Sequence, residues 1–265
     1  MSLALLPDGN QLYYERAGEG PAVVFIHGLA DDHRLWRYQL PALQDRFTTI
    51  AIDLRGHGRS SKPAGAYSVP QFAADVVALL DQLEIERASL VGLSMGGGTS
   101  QTFALAYPER IRSLALISTS SEFVQATRDR FHARAEQAER EGMVPDVVEP
   151  MVERWFTPRF RAERADEVEL TLATVRANDP FAFAASARAN SERNWTDRLG
   201  EIGCPVLFIG GAEDPGDARR SATIFERGLP NIEIQILEDA SHLLPVEKPE
   251  ATNVLLRRFL SDTAE

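Results

Sequence analysis

The stretch "ASLVGLSMGGG", residues 88–98, decides how this chain is read. A short apolar run ends in Ser94, with Gly92 two places before it and Gly96 two places after, and Gly97 and Gly98 follow at once. The motif alone carries little weight. With Gly and Ser each near ~7% of residues, a G-x-S-x-G match arises by chance in roughly one chain of this size in ten. Its surroundings carry more. A tight turn from strand to helix strains the backbone of its apex residue, and side chains two positions away on either side would collide with the neighbouring strand and helix. Glycine removes those Cβ atoms. Here a strand-like run precedes the serine and the helix-like "GGGTSQTFALAYPER" follows it. Ser94 is therefore expected above a sheet, at a helix N-terminus whose dipole favours developing negative charge.

Outward from this stretch, apolar runs rich in β-branched residues recur at 21–28, 47–53, 112–118, 205–210 and 232–238. Continuous apolar character without alternation is what a strand buried on both faces shows, so a parallel sheet is expected. Helical patterns lie between the runs. "VPQFAADVVALLDQLEI" places Phe72, Val76, Leu79, Leu80 and Leu83 at helical spacing behind Pro70, and "PEATNVLLRRFLSD" closes the chain in the same way. The alternation predicts an α/β fold, a mostly parallel, doubly wound sheet with helices on both sides. The opening residues read instead as a hairpin turning on Asp8-Gly9, an antiparallel edge. From 119 to 197 the rhythm breaks into helical spacings without a convincing strand. That segment reads as a helical cap insertion over the carboxyl edge of the sheet, where open α/β folds bind ligands, with 1–118 and 198–265 forming the core.

Composition narrows the class. At 265 residues, 44% hydrophobic and 25% charged, the chain has the proportions of an ordinary globular protein with a full core. No apolar run approaches the roughly 18 residues of a membrane helix, and the start lacks a basic, then apolar, leader. The net charge of −11 argues against nucleic acid and anionic membranes as partners. A single cysteine, Cys204, excludes an internal disulfide and reads as a buried structural thiol; with no leader, a cytoplasmic location is expected. A homo-oligomer stays open.

A serine hydroxyl attacks only when a base takes its proton. Of five histidines, His242 in "EDASHLLPVEKPE" lies just beyond the last strand, where it can reach the sheet edge that carries Ser94. His27 and His57 read as ordering groups in their loops, and His33 and His132 as ordinary surface or helix residues. The imidazole needs an orienting carboxylate. Asp214 in "VLFIGGAEDPG" is the first candidate, Asp217 a substitute and Glu213 a third. Asp239, three residues before His242, reads as solvent-facing. The chain order Ser94, Asp214, His242 puts each member on a loop after a strand. Two main-chain amides would form an oxyanion hole: Met95, the residue after the nucleophile, and Leu29 in the strand-end loop "HGLADD".

At these residues the sequence resembles the α/β-hydrolase superfamily over essentially its whole length, through "VVFIHG", "DLRGHGRS", "LVGLSMGG", "PVLFIGGAED" and "SHLLPVEKPE". Within it, "GLSMGG" and "MVERWFTPRFR" are similar to the bacterial 3-oxoadipate enol-lactonases, which open a lactone ring carrying a carboxylate. The resemblance implies an α/β-hydrolase fold and hydrolysis of a small ester or lactone through an acyl-enzyme. A compressed, polar "EDPGDARRS" departs from relatives and keeps Asp217 in play. Substrate choice would fall to the insertion. There Trp155 and Phe156 are candidates for an apolar wall, and Arg128, with Arg130 and Arg134, for a substrate carboxylate. No cofactor is implied, and no cluster has metal-ligand spacing. A carbon–carbon bond hydrolase, a perhydrolase side activity and a non-catalytic small-molecule receptor remain competing readings.

Overall fold

Strands that are apolar on both faces pair side by side, and in the computed structural model, which describes residues 2–264, they form one sheet of eight. The strands are β1 (Ser2–Leu5), β2 (Gln11–Ala17), β3 (Ala22–Ile26), β4 (Thr48–Ile52), β5 (Ala88–Leu93), β6 (Ile111–Ile117), β7 (Val206–Gly211) and β8 (Ile232–Leu237). Their order is β1-β2-β4-β3-β5-β6-β7-β8. β2 is antiparallel to β1 and β4, while β4, β3, β5, β6, β7 and β8 pair in parallel. All six expected runs fall within two residues of an observed strand. Every residue of β3, β4 and β5 is buried, whereas β8, at the edge, is half-buried throughout. The hairpin turns where expected, with Gly9 at φ +83°.

The helices are α1 (Gln39–Leu43), α2 (Val69–Gln82), α3 (Met95–Ala106), α4 (Gln125–Glu141), α5 (Pro145–Trp155), α6 (Pro158–Glu163), α7 (Ala165–Arg176), α8 (Pro180–Ser191), α9 (Ala218–Gly228), α10 (Leu244–Glu247) and α11 (Pro249–Asp262). The Ser68 hydroxyl caps α2 by accepting from Gln71 N, and the stripe Phe72, Val76, Leu79 and Leu80 is fully buried. Five helices, α4 to α8, lie between β6 and β7. α4 packs along α8, and Arg188 grips Glu139 with two hydrogen bonds of 2.6 and 2.7 Å. Where this segment leaves and rejoins the sheet, Glu122 and Asn194 form an antiparallel bridge and Trp195 N donates to Ser121 O at 2.9 Å.

The loop after β4, "DLRGHGRS", is a scaffold built from buried polar groups. His33, expected as an ordinary surface or helix residue, is instead buried there. Its main-chain N–H and its Nδ1 both bond Asp53 Oδ1 at 2.7 Å, and Arg59 N donates to Asp53 Oδ2 at 2.8 Å. The partner lies 20 residues away, so local sequence could not reveal it. Asp32, His33 and Asp53 stand close enough to share a metal ion. Their atoms are already engaged, however: Arg34 holds Asp32, and His33 and Arg59 hold Asp53.

Arg55 is buried between Asp75 of α2 (2.9 and 2.7 Å) and Asp8 of the hairpin turn (2.6 Å), tying three elements together. His57, as expected, orders this loop, with its ring bonded to Arg55 O. Burial pushes its pKa down to about 3, so it is neutral. Cys204 is only half-buried, yet burial raises its thiol to about 11. Among the described residues, no helix is long and apolar enough to cross a membrane. Removing Asp75 leaves the buried Arg55 with the exposed Asp8 as its one remaining ion-pair partner among the described residues. Asp75→Ala is therefore expected to destabilise the fold by about 3 kcal/mol in urea denaturation, and Arg55→Met with Asp75→Leu to recover most of the loss.

Candidate active site

Ser94 stands between β5 and α3 at φ 53° and ψ −108°, a backbone that few residues with a Cβ adopt. The glycines around it are required by contact. A Cβ on Gly92 would lie 2.4 Å from Gly96 O, and one on Gly96 would lie 2.1 Å from Ile26 O of β3. Ser94 N donates to Ile117 O of β6 at 2.9 Å. The serine is thus fixed by the strands on both sides of its own.

The structure joins His242 to Asp214: Nδ1 donates to Asp214 Oδ2 at 2.9 Å. Gly216 N donates to Asp214 Oδ1 at 2.7 Å. Burial acts to raise the Asp214 pKa, but the charge and hydrogen bond of His242 and the Gly216 amide outweigh it, and the net shift is downward. Asp217 has a different position: in the left-handed region at φ +58°, it caps α9 through Arg220 N. Glu213 and Asp239 are exposed. His242 is in turn seated by the helical insertion. Its main-chain N–H and that of Leu243 both donate to Trp155 O at 3.1 Å, and the Trp155 ring stacks on the imidazole at 6.4 Å between centroids. Ser94 and His242 line the same cavity, and in this structure no hydrogen bond joins Ser94 Oγ to the imidazole.

Gly28 abuts the Ser94 turn, for a Cβ there would lie 3.5 Å from Ser94 Cβ. Leu54 N donates to His27 Nε2 at 2.9 Å, so Nδ1 carries the proton and donates to Gly28 O at 2.7 Å. Burial lowers the pKa of this imidazole and keeps it neutral. In a trans peptide the N–H points opposite to the C=O. By holding the Gly28 carbonyl, His27 turns the Leu29 N–H the other way. Leu29 lines the cavity, Met95 is the first residue of α3, and neither main-chain N–H donates a hydrogen bond among the described residues.

The cavity measures 310 Å³. The sheet edge contributes Gly28, Leu29, Asp31, Ser94, Asp214 and His242, and the insertion contributes Phe123, Phe131, Met151 and Trp155. Trp155 is where the sequence led us to expect it. Phe156 and Arg128 are not. Phe156 is buried and stacked on Phe160 at 5.0 Å, because the next residue along the chain faces away from the cavity and packs the insertion. Arg128 turns back to Phe123 O and toward Glu192. Five other arginines line the wall: Arg193 just after α8, Arg220 of α9, which pairs with Glu122, and three from the helices of the insertion, Arg130 and Arg134 of α4 and Arg154 of α5. Among the described residues none of the three has a carboxylate partner within ion-pair distance. Burial and then Arg154 lower Arg130, and burial, Arg154 and Arg130 push Arg134 down to about 10.

Sequence reasoning missed Arg154, Arg193, Asp31 and Glu247. Glu247 is a buried carboxylate that accepts from Thr157 N at 2.9 Å and Ser241 N at 2.7 Å, pinning the histidine loop to the insertion. Only the three-dimensional contact signals its role.

The family model for the alpha/beta hydrolase fold matches residues 21–249. The chain belongs to this family. 3-Oxoadipate enol-lactonase 2 of Acinetobacter baylyi is 33% identical over 243 residues, covering 90% of each chain. An esterase of Thermogutta terrifontis, solved with malate bound, superposes on this α/β hydrolase with a TM-score of 0.94 at 28% identity, over 100% of this chain and 99% of that one. The enol-lactonase of Burkholderia xenovorans LB400 gives 0.94 at 28%, over 98% and 100%. The hydrolase thus resembles the enol-lactonases along its whole length, as "GLSMGG" and "MVERWFTPRFR" implied.

Asp31 is the unusual acid of the cavity. Burial, then the charge of Asp32, push its carboxyl up to about 7. Because this folded value exceeds the unfolded one, the wild type loses stability as pH rises from about 4 to about 7 and no more above that. Asp31→Asn, which carries no charge, is expected to gain on the wild type by about 1.4 kcal/mol per pH unit across that window, read from urea denaturation at successive pH values.

Proposed function

We propose that this hydrolase cleaves a small carboxylic ester or lactone through an acyl-enzyme on Ser94. The observation that carries the reading is the hydrogen-bonded pair Asp214–His242 opening onto the cavity that Ser94 lines. Asp214 holds the imidazole with Nδ1 protonated, which leaves Nε2 free to take the serine proton. The alkoxide attacks the carbonyl, and the Leu29 and Met95 amides receive the oxyanion; one such donor is typically worth about 3–4 kcal/mol of barrier. His242 then protonates the leaving oxygen. A water activated by the same base clears the acyl group.

The arginines narrow the substrate. A half-buried cation without a partner is costly, as Arg134 is, and the exposed Arg130 and Arg154 face the same cavity unpaired, in a chain of net charge −11. An anionic group on the substrate would relieve that cost. We therefore favour an ester or lactone bearing a carboxylate, the chemistry of the enol-lactones on which the named relatives act. Trp155, beside His242, would supply the apolar contact. Phe156 and Arg128 drop out of the substrate contacts.

The test is turnover of neutral nitrophenyl esters, carboxylate-bearing lactones and vinylogous diketones. Ser94→Ala is expected to lose at least about 10⁴-fold in kcat, and Asp214→Asn about 10³- to 10⁴-fold, with Asp217→Asn within about threefold of wild type. Undiminished hydrolysis by purified Ser94→Ala would sink the nucleophile assignment. Ligand binding without product release would favour a receptor, and cleavage of the diketones alone a carbon–carbon hydrolase. In a separate comparison, Arg134→Ala and Arg154→Ala should each raise KM for the carboxylate-bearing substrate by about 10-fold, leaving the neutral ester unaffected.

A further inference from the structure

Arg193 is 2% exposed, lies at the end of the helical insertion and lines the cavity, yet it takes no part in the proposed acyl transfer. Among the described residues no carboxylate pairs with it. Burial brings its pKa down to about 9, which leaves it cationic at neutral pH. Its guanidinium lies over the Phe123 ring, 4.3 Å from the centroid, and Nη1 donates to the carbonyl oxygen of Ser94 at 2.9 Å. Thr119 Oγ1 donates to the same oxygen at 2.7 Å, and Gly98 N does so at 3.1 Å. With Ser94 N bonded to Ile117 O, both main-chain groups of the residue are held.

The glycines after the serine make room for this arrangement. A Cβ on Gly97 would stand 2.6 Å from Thr119 Cγ2, and one on Gly98 would stand 2.1 Å from Arg193 Nη1 and 2.9 Å from its Cδ. An ordinary helix start needs no such cleft. A strained φ, ψ pair persists only where its surroundings over-determine it. A rotation of the peptide after Ser94 would let that strain relax, and the Ser94 carbonyl is the group it would move.

We propose that Arg193 is a positioning residue: with Thr119 it clamps the Ser94 carbonyl, holds the nucleophile turn in its strained form, and couples the exit of the helical insertion to the nucleophile. The inference rests on Ser94 being the nucleophile. Phe123, on the entry side, orients the guanidinium by its ring face. Arg193 acts through the serine's main chain rather than by touching substrate.

The experiment uses the full chain and a neutral nitrophenyl ester, so that recognition of a substrate carboxylate does not enter. Arg193→Ala is expected to lose about 30-fold in kcat, as a displacement of about 1 Å at a nucleophile can, with KM changed by less than about twofold. The rate of Ser94 labelling by a fluorophosphonate should fall in parallel, added guanidinium should restore much of both, and Arg193→Lys should retain part. Gly98→Ala keeps the cation but pushes it off the carbonyl, and carries the test should Arg193→Ala fail to fold. It should lose a similar factor, and the two changes together should cost no more than one alone. Full kcat and labelling in folded Arg193→Ala or Gly98→Ala, a change in KM alone, absence of guanidinium rescue, or losses that multiply would each overturn the proposal. Ser94→Ala run alongside separates the outcomes: activity retained there overturns the nucleophile reading itself, whereas activity lost there but kept in Arg193→Ala overturns only the clamp.

Discussion

The geometry of the site depends on one residue being held where its backbone does not rest by itself. Ser94, at φ 53° and ψ −108°, occupies a region that costs of order 1–3 kcal/mol for a residue with a side chain. Packing of the sheet supplies the restraint. β5 is buried over its whole length and flanked by β3 and β6, and the turn that follows is pressed against both. Gly96 lies against the β3 backbone, and the Ser94 amide bonds the last residue of β6. The rest of the site follows from strand order. From β3 to β8 along the sheet, the strands deliver in turn the loop of Leu29, Ser94, the clamp at Thr119, Asp214 and the histidine loop.

The helical insertion does more than cover that edge. It supplies the carbonyl of Trp155 on which the histidine loop is hung, and Glu247 bonds across the same seam to Thr157 and Ser241. Its entry and exit meet at the bridge between Glu122 and Asn194, next to the residue that reaches the Ser94 carbonyl. The cavity wall and the restraint on Ser94 and His242 are therefore one set of contacts. The wall's unpaired arginines stand out in a chain whose overall charge is −11.

Legibility in the sequence followed the range of the interaction. Strand runs and α2 were readable because burial on both faces, or on one stripe, is written in consecutive residues. Ser94 was readable because a tight turn forces glycine at fixed offsets. His33 was misread because its partner Asp53 comes from the loop after β4, 20 residues further along the chain. Phe156 and Arg128 were misplaced because helical spacing does not say which face of an insertion looks inward. The choice between Asp214 and Asp217 turned on three residues of loop, where Asp217 folds back to cap α9 while Asp214 reaches the imidazole.

By itself the sequence determined the class of fold, the elbow at Ser94 and the placing of Asp214, Asp217 and His242 in loops that follow strands, since each rests on local steric or hydrophobic pattern. Tertiary structure alone decided which carboxylate meets His242, which arginines face the cavity, and why three glycines follow Ser94 in succession. Those outcomes depend on contacts between residues far apart in the chain: Gly98 is shaped by Arg193, and Gly96 by Ile26. A one-dimensional pattern records that such positions must be small, but the neighbour that makes them so exists only once the sheet is assembled.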